Sequence, residues 1–359
     1  MKRVHYIDIL RAWAVLLMVF WHLTDALILN SIRKSDPFYV TQFVGGLVAP
    51  MFLFAAGFAS AILILKKRDS FISFTTYDFR KRMINILIIL IVAYLLHLPE
   101  RNTFSVILSR SGEAYLHFVK TDVLQTIATG MLALHIIFLF IKNIKMYFYF
   151  VLITGILFIV LTPYVWLIDF GKYLPVEIAT YFTPAYYSLF PIFPWFGYLF
   201  LGAVLQLMIE NQDGDKGDKV LLEKIVVSGV VMIVLGLSTH LAGIKTSVNY
   251  NFWVTSMNIF MIKLGIVFIL IYLFSVLNEK LNYDMKIFKP FSTESLFVYV
   301  THLLIIYGGN AHTMQTIFGR TFNWLQLVVM YFVMIFALLF AAKGWSKLKE
   351  ICRAKFSKV

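Results

Sequence analysis

Arg11 and His22 lie in a stretch, DILRAWAVLLMVFWH, that is otherwise apolar after Asp8. At about 100° per residue, the eleven steps between them make three turns and roughly 20°, so both side chains leave one helical face. The rise between them is about 16 Å, roughly half a bilayer core. Asp8 precedes Arg11 by three residues and Asp25 follows His22 by three, a spacing at which helical side chains meet. Such a stripe costs several kcal/mol against lipid and must face other helices or water. Asp8 with Arg11 suits an ion pair near the membrane boundary, where arginine also snorkels. His22 with Asp25 suits chemistry, because a carboxylate that fixes an imidazole tautomer makes a general base.

Other apolar stretches carry further polar groups. Asp122 and Gln125 open DVLQTIATG, and His135 lies deeper in the same run as a packing histidine. Lys263 sits in mid-span with Asn258 five residues before it; a carboxylate partner and an anionic ligand both fit it. SLFVYVTHLL places His302 inside the membrane on a segment that also offers Ser295, Tyr299 and Thr301. GGLVAPMFLFAAGFAS predicts close helix contact with a kink at Pro50. Pro191, Pro194 and Gly197 predict a bend in SLFPIFPWFGYLFLG. No metal-ligand spacing and no Gly-rich phosphate loop occurs, so no metal is expected. Cys352 is the single cysteine, which excludes an intramolecular disulfide.

The elements that must position these residues follow from composition. Of 359 residues, 60% are hydrophobic and 14% charged, against about 25% charged in soluble domains. Long apolar runs predict an all-α polytopic membrane protein with spans near 7–29, 43–65, 83–98, 123–141, 146–168, 189–209, 225–243, 254–277, 290–309 and 324–343. The first run, next to the N-terminus and without a small-residue cleavage site, reads as a retained helix rather than a signal peptide. The segments on the N-terminal side of the membrane, with Lys343 at the end of the last span, hold 22 Lys and Arg, the opposite segments 8. This asymmetry places both termini in the cytoplasm. The net charge of +13 is therefore topological, with help from anionic lipids, and does not indicate nucleic acid. Clusters such as Lys66-Lys67-Arg68 and Arg80-Lys81-Arg82 fit the same bias, an anionic cytoplasmic ligand being the alternative.

One transmembrane domain over 1–343 and a basic cytoplasmic tail over 344–359 are expected. The connection 99–122 suits a short interfacial helix, and ENQDGDKGDK at 210–219 suits a flexible loop.

The Arg–His spacing of the first span, with Asp8 before it, resembles the transmembrane acyltransferases, which include the acyltransferase-3 family. APMFLFAAGFA, DVLQTIA, PWFGYLFLG and SLFVYVTHLL make the chain more similar to the heparan-α-glucosaminide N-acetyltransferase family, over residues 8 to about 304. The sequence departs from the family at Ala12, where Gly is common, and at Thr126, where Arg is common. The second change leaves open which donor or acceptor group that region binds.

The resemblance implies a multi-pass enzyme of the plasma membrane. It would move an acetyl (acyl) group from cytoplasmic acetyl-CoA to a hydroxyl or amine of an extracytoplasmic sugar, glycan or glycolipid. His22 matches the family's catalytic histidine, either as general base or as acyl acceptor, and Asp25 would orient it. Arg11 matches the arginine that helps form the acyl-CoA site in the acyltransferase-3 group; Asp8 beside it and Lys263 are the other donor-site candidates. Gln125, Tyr299 and His302 are candidates for the acceptor or the oxyanion. Membrane lipids are expected partners, and a homodimer is compatible. The competing class is a proton-coupled transporter or exporter of a glycan or glycolipid, with His22, Asp25, Lys263 and His302 as a proton relay.

Overall fold

Apolar runs longer than about 18 residues have one stable form in lipid, the α-helix, because every backbone polar group must be satisfied within the segment. The computed structural model describes residues 5–71, 73–99, 102–212, 214–245, 251–253, 256–281, 288–308 and 313–356. Among them the regular elements are helices, with one isolated bridge between Ile28 and Phe322. Seven segments are long and apolar enough to cross a bilayer: His5–Leu27, Asp36–Lys66, Val123–Phe140, Ile192–Glu210, Gly217–Leu241, Met257–Glu279 and Trp324–Ala354. Ile144–Val160 and Ser295–Tyr307 are shorter apolar helices. The chain is thus an all-α polytopic membrane protein.

In chain order the helices are α1 (His5–Leu27), α2 (Asp36–Gly45), α3 (Val48–Lys66), α4 (Tyr77–Leu95), α5 (Thr103–Ser109), α6 (Gly112–Val119), α7 (Val123–Phe140), α8 (Ile144–Val160), α9 (Thr162–Val165), α10 (Val176–Ala179), α11 (Ile192–Glu210), α12 (Gly214–Leu241), α13 (Met257–Leu281), α14 (Lys289–Thr293), α15 (Ser295–Tyr307), α16 (Met314–Phe318) and α17 (Trp324–Phe356). Each of the ten expected spans overlaps one of the longer helices or α15. They group into two compact units, Pro50–Tyr272 and Lys2–Ala49 with Leu273–Val359.

Within Pro50–Tyr272, small residues allow close helix contact. A Cβ on Gly57 of α3 would overlap the Leu199 carbonyl of α11, and one on Gly202 would overlap the Phe54 carbonyl. These are backbone atoms that no rotamer change can move aside. Gly57→Leu is therefore expected to cost about 1–3 kcal/mol or more, read as a lower melting temperature in detergent; an unchanged melting temperature would refute the close crossing. Helices α4 and α7 pack through Ile86, Ala128 and Met131. The bend expected in α11 falls at Phe193, whose φ of −90° and ψ of 122° are not helical. Its carbonyl accepts from Trp166 Nε1 at 3.2 Å.

Two expectations change. The break near Pro50 is two separate helices, because α2 ends at Gly45 and α3 starts at Val48, with Pro50 in the first turn, where its missing N–H is tolerated. The polar run 210–219 is helical from Gly214 onward rather than a loop, Asp213 lying outside the described residues. Helix α17 continues through Lys343 to Phe356. The interfacial stretch 99–122 does contain short helices, α5 and α6.

In the other unit α1 is the central element, touching α2, α14, α15, α16 and α17. Phe20 meets Tyr331 edge to face at 5.2 Å, and Phe297 stacks on Trp345 at 5.1 Å. Buried Glu294 receives Lys349 Nζ on both oxygens, at 2.6 and 2.5 Å, fastening the start of α15 to α17. One face of α17 exposes Leu325, Val329, Phe332, Val333, Phe336 and Phe340, as contact with acyl chains requires.

Candidate active site

Helix α1 is unbroken from His5 to Leu27, so Arg11 and His22 share a face with a separation of about 16 Å along the axis. The neighbour on that face is the α14–α15 segment. Ser292 Oγ donates to Asp8 Oδ1 at 3.0 Å, Arg11 Nη2 donates to Ser295 Oγ at 3.0 Å, and Tyr307 donates to the His22 carbonyl at 3.0 Å. Low numbers meet low numbers and high meet high, so α1 and α15 run parallel. The parallel register carries His302 to the level of His22.

His22 Nδ1 lies 2.9 Å from His302 Nε2. The other nitrogen of His302, Nδ1, lies 2.8 Å from the Val298 carbonyl, which can only accept. His302 Nδ1 therefore carries its hydrogen, and in the neutral ring Nε2 is a lone pair. It accepts from His22 Nδ1–H, which leaves Nε2 as the unprotonated nitrogen of neutral His22. His302 is fully buried and His22 only partly so. A buried imidazole thus sets the tautomer of a more accessible one. The Tyr299 ring meets His302 edge-on at 5.7 Å, and the Tyr307 ring meets His22 edge-on at 5.9 Å.

The structure brings Asp8, Arg11, His22, Asp25, Tyr299 and His302 together in one unit. At Asp25, Arg33 donates to the carboxylate at 2.8 Å and to the carbonyl at 2.9 Å. The group on His22 Nδ1 is His302. Arg33, Ser292 and Tyr307 were not singled out from sequence. Arg33 follows Asp25 by eight residues beyond the end of α1, and only the return of the chain in the turn Ile32–Lys34 brings it back.

Gln125 and Lys263 belong to the other unit, Pro50–Tyr272. Gln125 is fully buried and completes a capping box, its Oε1 accepting the Asp122 N–H at 3.3 Å. Asp122 receives the Val123 N–H at 2.6 Å and lies 3.2 Å from His97 Nε2. Burial pushes the Asp122 carboxyl up, but the His97 hydrogen bond and charge and the Val123 N–H outweigh it, holding it below the usual carboxylate range. The folded state thus prefers the ionised form. Its contribution is full above about pH 3.9, the unfolded value, and is lost as pH falls through the depressed folded one. Asp122→Asn should flatten the acid limb of a melting-temperature profile; limbs that coincide would contradict the pairing.

Among the described residues no group of three His, Cys, Asp or Glu side chains could hold a metal ion. Two histidines within hydrogen-bonding distance, with an arginine about half a helix away on the same face, thus lie inside a polytopic membrane protein. A family model, heparan-alpha-glucosaminide N-acetyltransferase, catalytic, matches residues 3–222, more than half of the chain. The chain belongs to that family. At the level of the family it is a membrane acetyltransferase with a carbohydrate acceptor. The match includes Asp8, Arg11, His22, Asp25 and Gln125, while Lys263, Tyr299 and His302 lie beyond it. No curated protein matches the chain.

Proposed function

We propose that the protein transfers an acetyl group from cytoplasmic acetyl-CoA to a hydroxyl or amine of a carbohydrate on the far side of the membrane, with His22 as general base. The observation that carries this reading is the His22–His302 hydrogen bond, which aims the lone pair of His22 through Nε2. On this reading both termini are cytoplasmic and the spans number ten. The parallel packing of α1 and α15 supports that count, since seven intervening spans bring the chain back in the same direction.

Arg11, near the cytoplasmic end of α1, holds the anionic or amide portion of the donor with Ser295 and Asp8 beside it. The slim pantetheine arm of the donor then reaches along the α1 face toward His22. His22 Nε2 takes the proton of the acceptor hydroxyl or amine as that group attacks the thioester carbonyl. The resulting charge is shared, because the Nδ1 proton of His22 can pass to His302 Nε2 along the existing hydrogen bond. Collapse of the adduct breaks the C–S bond, and His22 returns the proton to the departing thiolate. One ester or amide and one free thiol result, with both histidines regenerated. Tyr299 is placed beside His302 and Asp25 beside Arg33, so both support the site from its edge. Gln125 and Lys263 belong to the other unit, Gln125 in the capping box whose N-cap is Asp122.

The test is acceptor-dependent release of the CoA thiol by the purified protein with a panel of amino and hydroxyl sugars. Release with at least one sugar supports the reading. Absence of release with every sugar, together with sugar transport into sealed vesicles lacking acetyl-CoA, would favour the transporter class instead.

A further inference from the structure

Arg82 occupies the second turn of α4, directly after Arg80 and Lys81, in the Pro50–Tyr272 unit. Its Nη2 donates to Ser60 Oγ of α3 at 3.2 Å and lies 3.2 Å from Met131 Sδ of α7. Neither partner is charged, and among the described residues no carboxylate pairs with Arg82. Its Nε is buried with no hydrogen-bond partner there. One turn along α7, His135 is in the same condition. It is 1% exposed, its Nδ1 donates to the Met131 carbonyl at 2.7 Å, and its buried Nε2 has no partner. The guanidinium is close enough to act on the imidazole by its charge, and Phe71 closes the far side of the ring at 5.4 Å.

A desolvated guanidinium with only neutral neighbours is costly, and an oxyanion that accepts its remaining donors removes the cost. The approach favours a strongly anionic one. Lys66, Lys67, Arg68, Arg80, Lys81 and Lys142 are exposed on the segments flanking Ser60, Arg82 and His135, and among the described residues Lys67 is the one of these held by a carboxylate, that of Asp78. We propose that Arg82 and His135, with Ser60, form a binding site for a phosphate group that enters from this basic end. Arg82 Nε–H donates directly. His135 Nε2 accepts from a singly protonated phosphate or, once protonated, donates to a dianion. Two sources carry this chemistry at a cytoplasmic membrane face, the phosphates of a soluble nucleotide-type molecule and the headgroup of an anionic phospholipid. If the source is the acyl donor, the assignment rests on the activity proposed above.

The experiment is equilibrium binding to the purified full-length protein in neutral detergent, with coenzyme A and phosphatidylglycerol as separate probes and no turnover. At least one probe should bind saturably. Arg82→Gln should weaken that binding by about ten- to hundredfold, as loss of a charge-assisted hydrogen bond implies. Arg82→Lys keeps the charge without the fork; it should bind more weakly than wild type and more tightly than Arg82→Gln, and it guards against misfolding of the neutral variant. Coenzyme A binding alone identifies a soluble source, and phosphatidylglycerol binding alone a headgroup. His22→Ala should bind as wild type does, so a failed transfer mechanism leaves this result standing. The proposal is overturned if neither probe binds wild type, or if a folded Arg82→Gln binds as tightly as wild type.

Discussion

Replacing His22 with alanine should lower acetyl transfer by about two to four orders of magnitude, the usual worth of a positioned general base. Three features make this the largest effect expected of any single change. His22 is the partly exposed member of a pair whose other ring is buried, so it is the one that meets an acceptor. Its tautomer is fixed by the chain Val298 carbonyl, His302, His22. Its backbone is held as well, the carbonyl by Tyr307 at 3.0 Å. The measurement is thiol release at saturating acetyl-CoA, with the melting temperature as the control for folding. Because the change removes a proton acceptor and not a donor-binding group, kcat should fall while the KM for acetyl-CoA stays close to that of wild type. A folded His22→Ala protein with an unchanged rate would remove the centre of the mechanism.

His302 should give the second-largest loss, and a more diagnostic one. Leucine fills a similar volume but accepts no hydrogen bond, so His22 Nδ1–H would lose its partner and the imidazole its fixed tautomer. A loss of about ten- to a thousandfold in kcat is expected, bounded by what the base itself contributes. Glutamine presents a carbonyl oxygen that can accept from His22 Nδ1–H, so His302→Gln should recover a substantial part of the loss. A role confined to packing predicts the opposite order, since leucine suits an apolar interior better than an amide. The pH profiles should differ too, because His302→Leu removes the second ring over which the transferred proton is shared. Equal activity in the two variants would assign His302 to packing alone.

Much of the fold was legible because lipid leaves so few choices. Runs such as Val123–Phe140 and Trp324 onward are helical on length and apolarity alone, and the face shared by Arg11 and His22 follows from a spacing of eleven residues. The site was legible only where its residues share a helix. Asp25 is the natural partner of His22 by local spacing, yet the group on Nδ1 comes from 280 residues away. His302 was visible as a polar residue in an apolar run, but not its register against α1, which depends on how α14 and α15 pack. Arg33 was hidden for a related reason: its link to Asp25 needs the turn after α1 to double back. Gln125 completes a capping box through Oε1, a role that spacing alone does not separate from ligand binding because both use the same residue types. The loop expected at 210–219 failed because Gly and Asp opposed a helix locally, whereas the apolar length of α12 carried the helix back to Gly214.

The most direct test of the central claim, that His302 acts on catalysis through His22, is the double-mutant cycle of His22→Ala and His302→Leu on acetyl transfer. Residues that work as one unit are strongly non-additive. The double variant should be no slower than His22→Ala alone, because without His22 there is no imidazole left for His302 to orient. Losses that multiply, leaving the double variant slower than His22→Ala by the full His302→Leu factor, would contradict the relay.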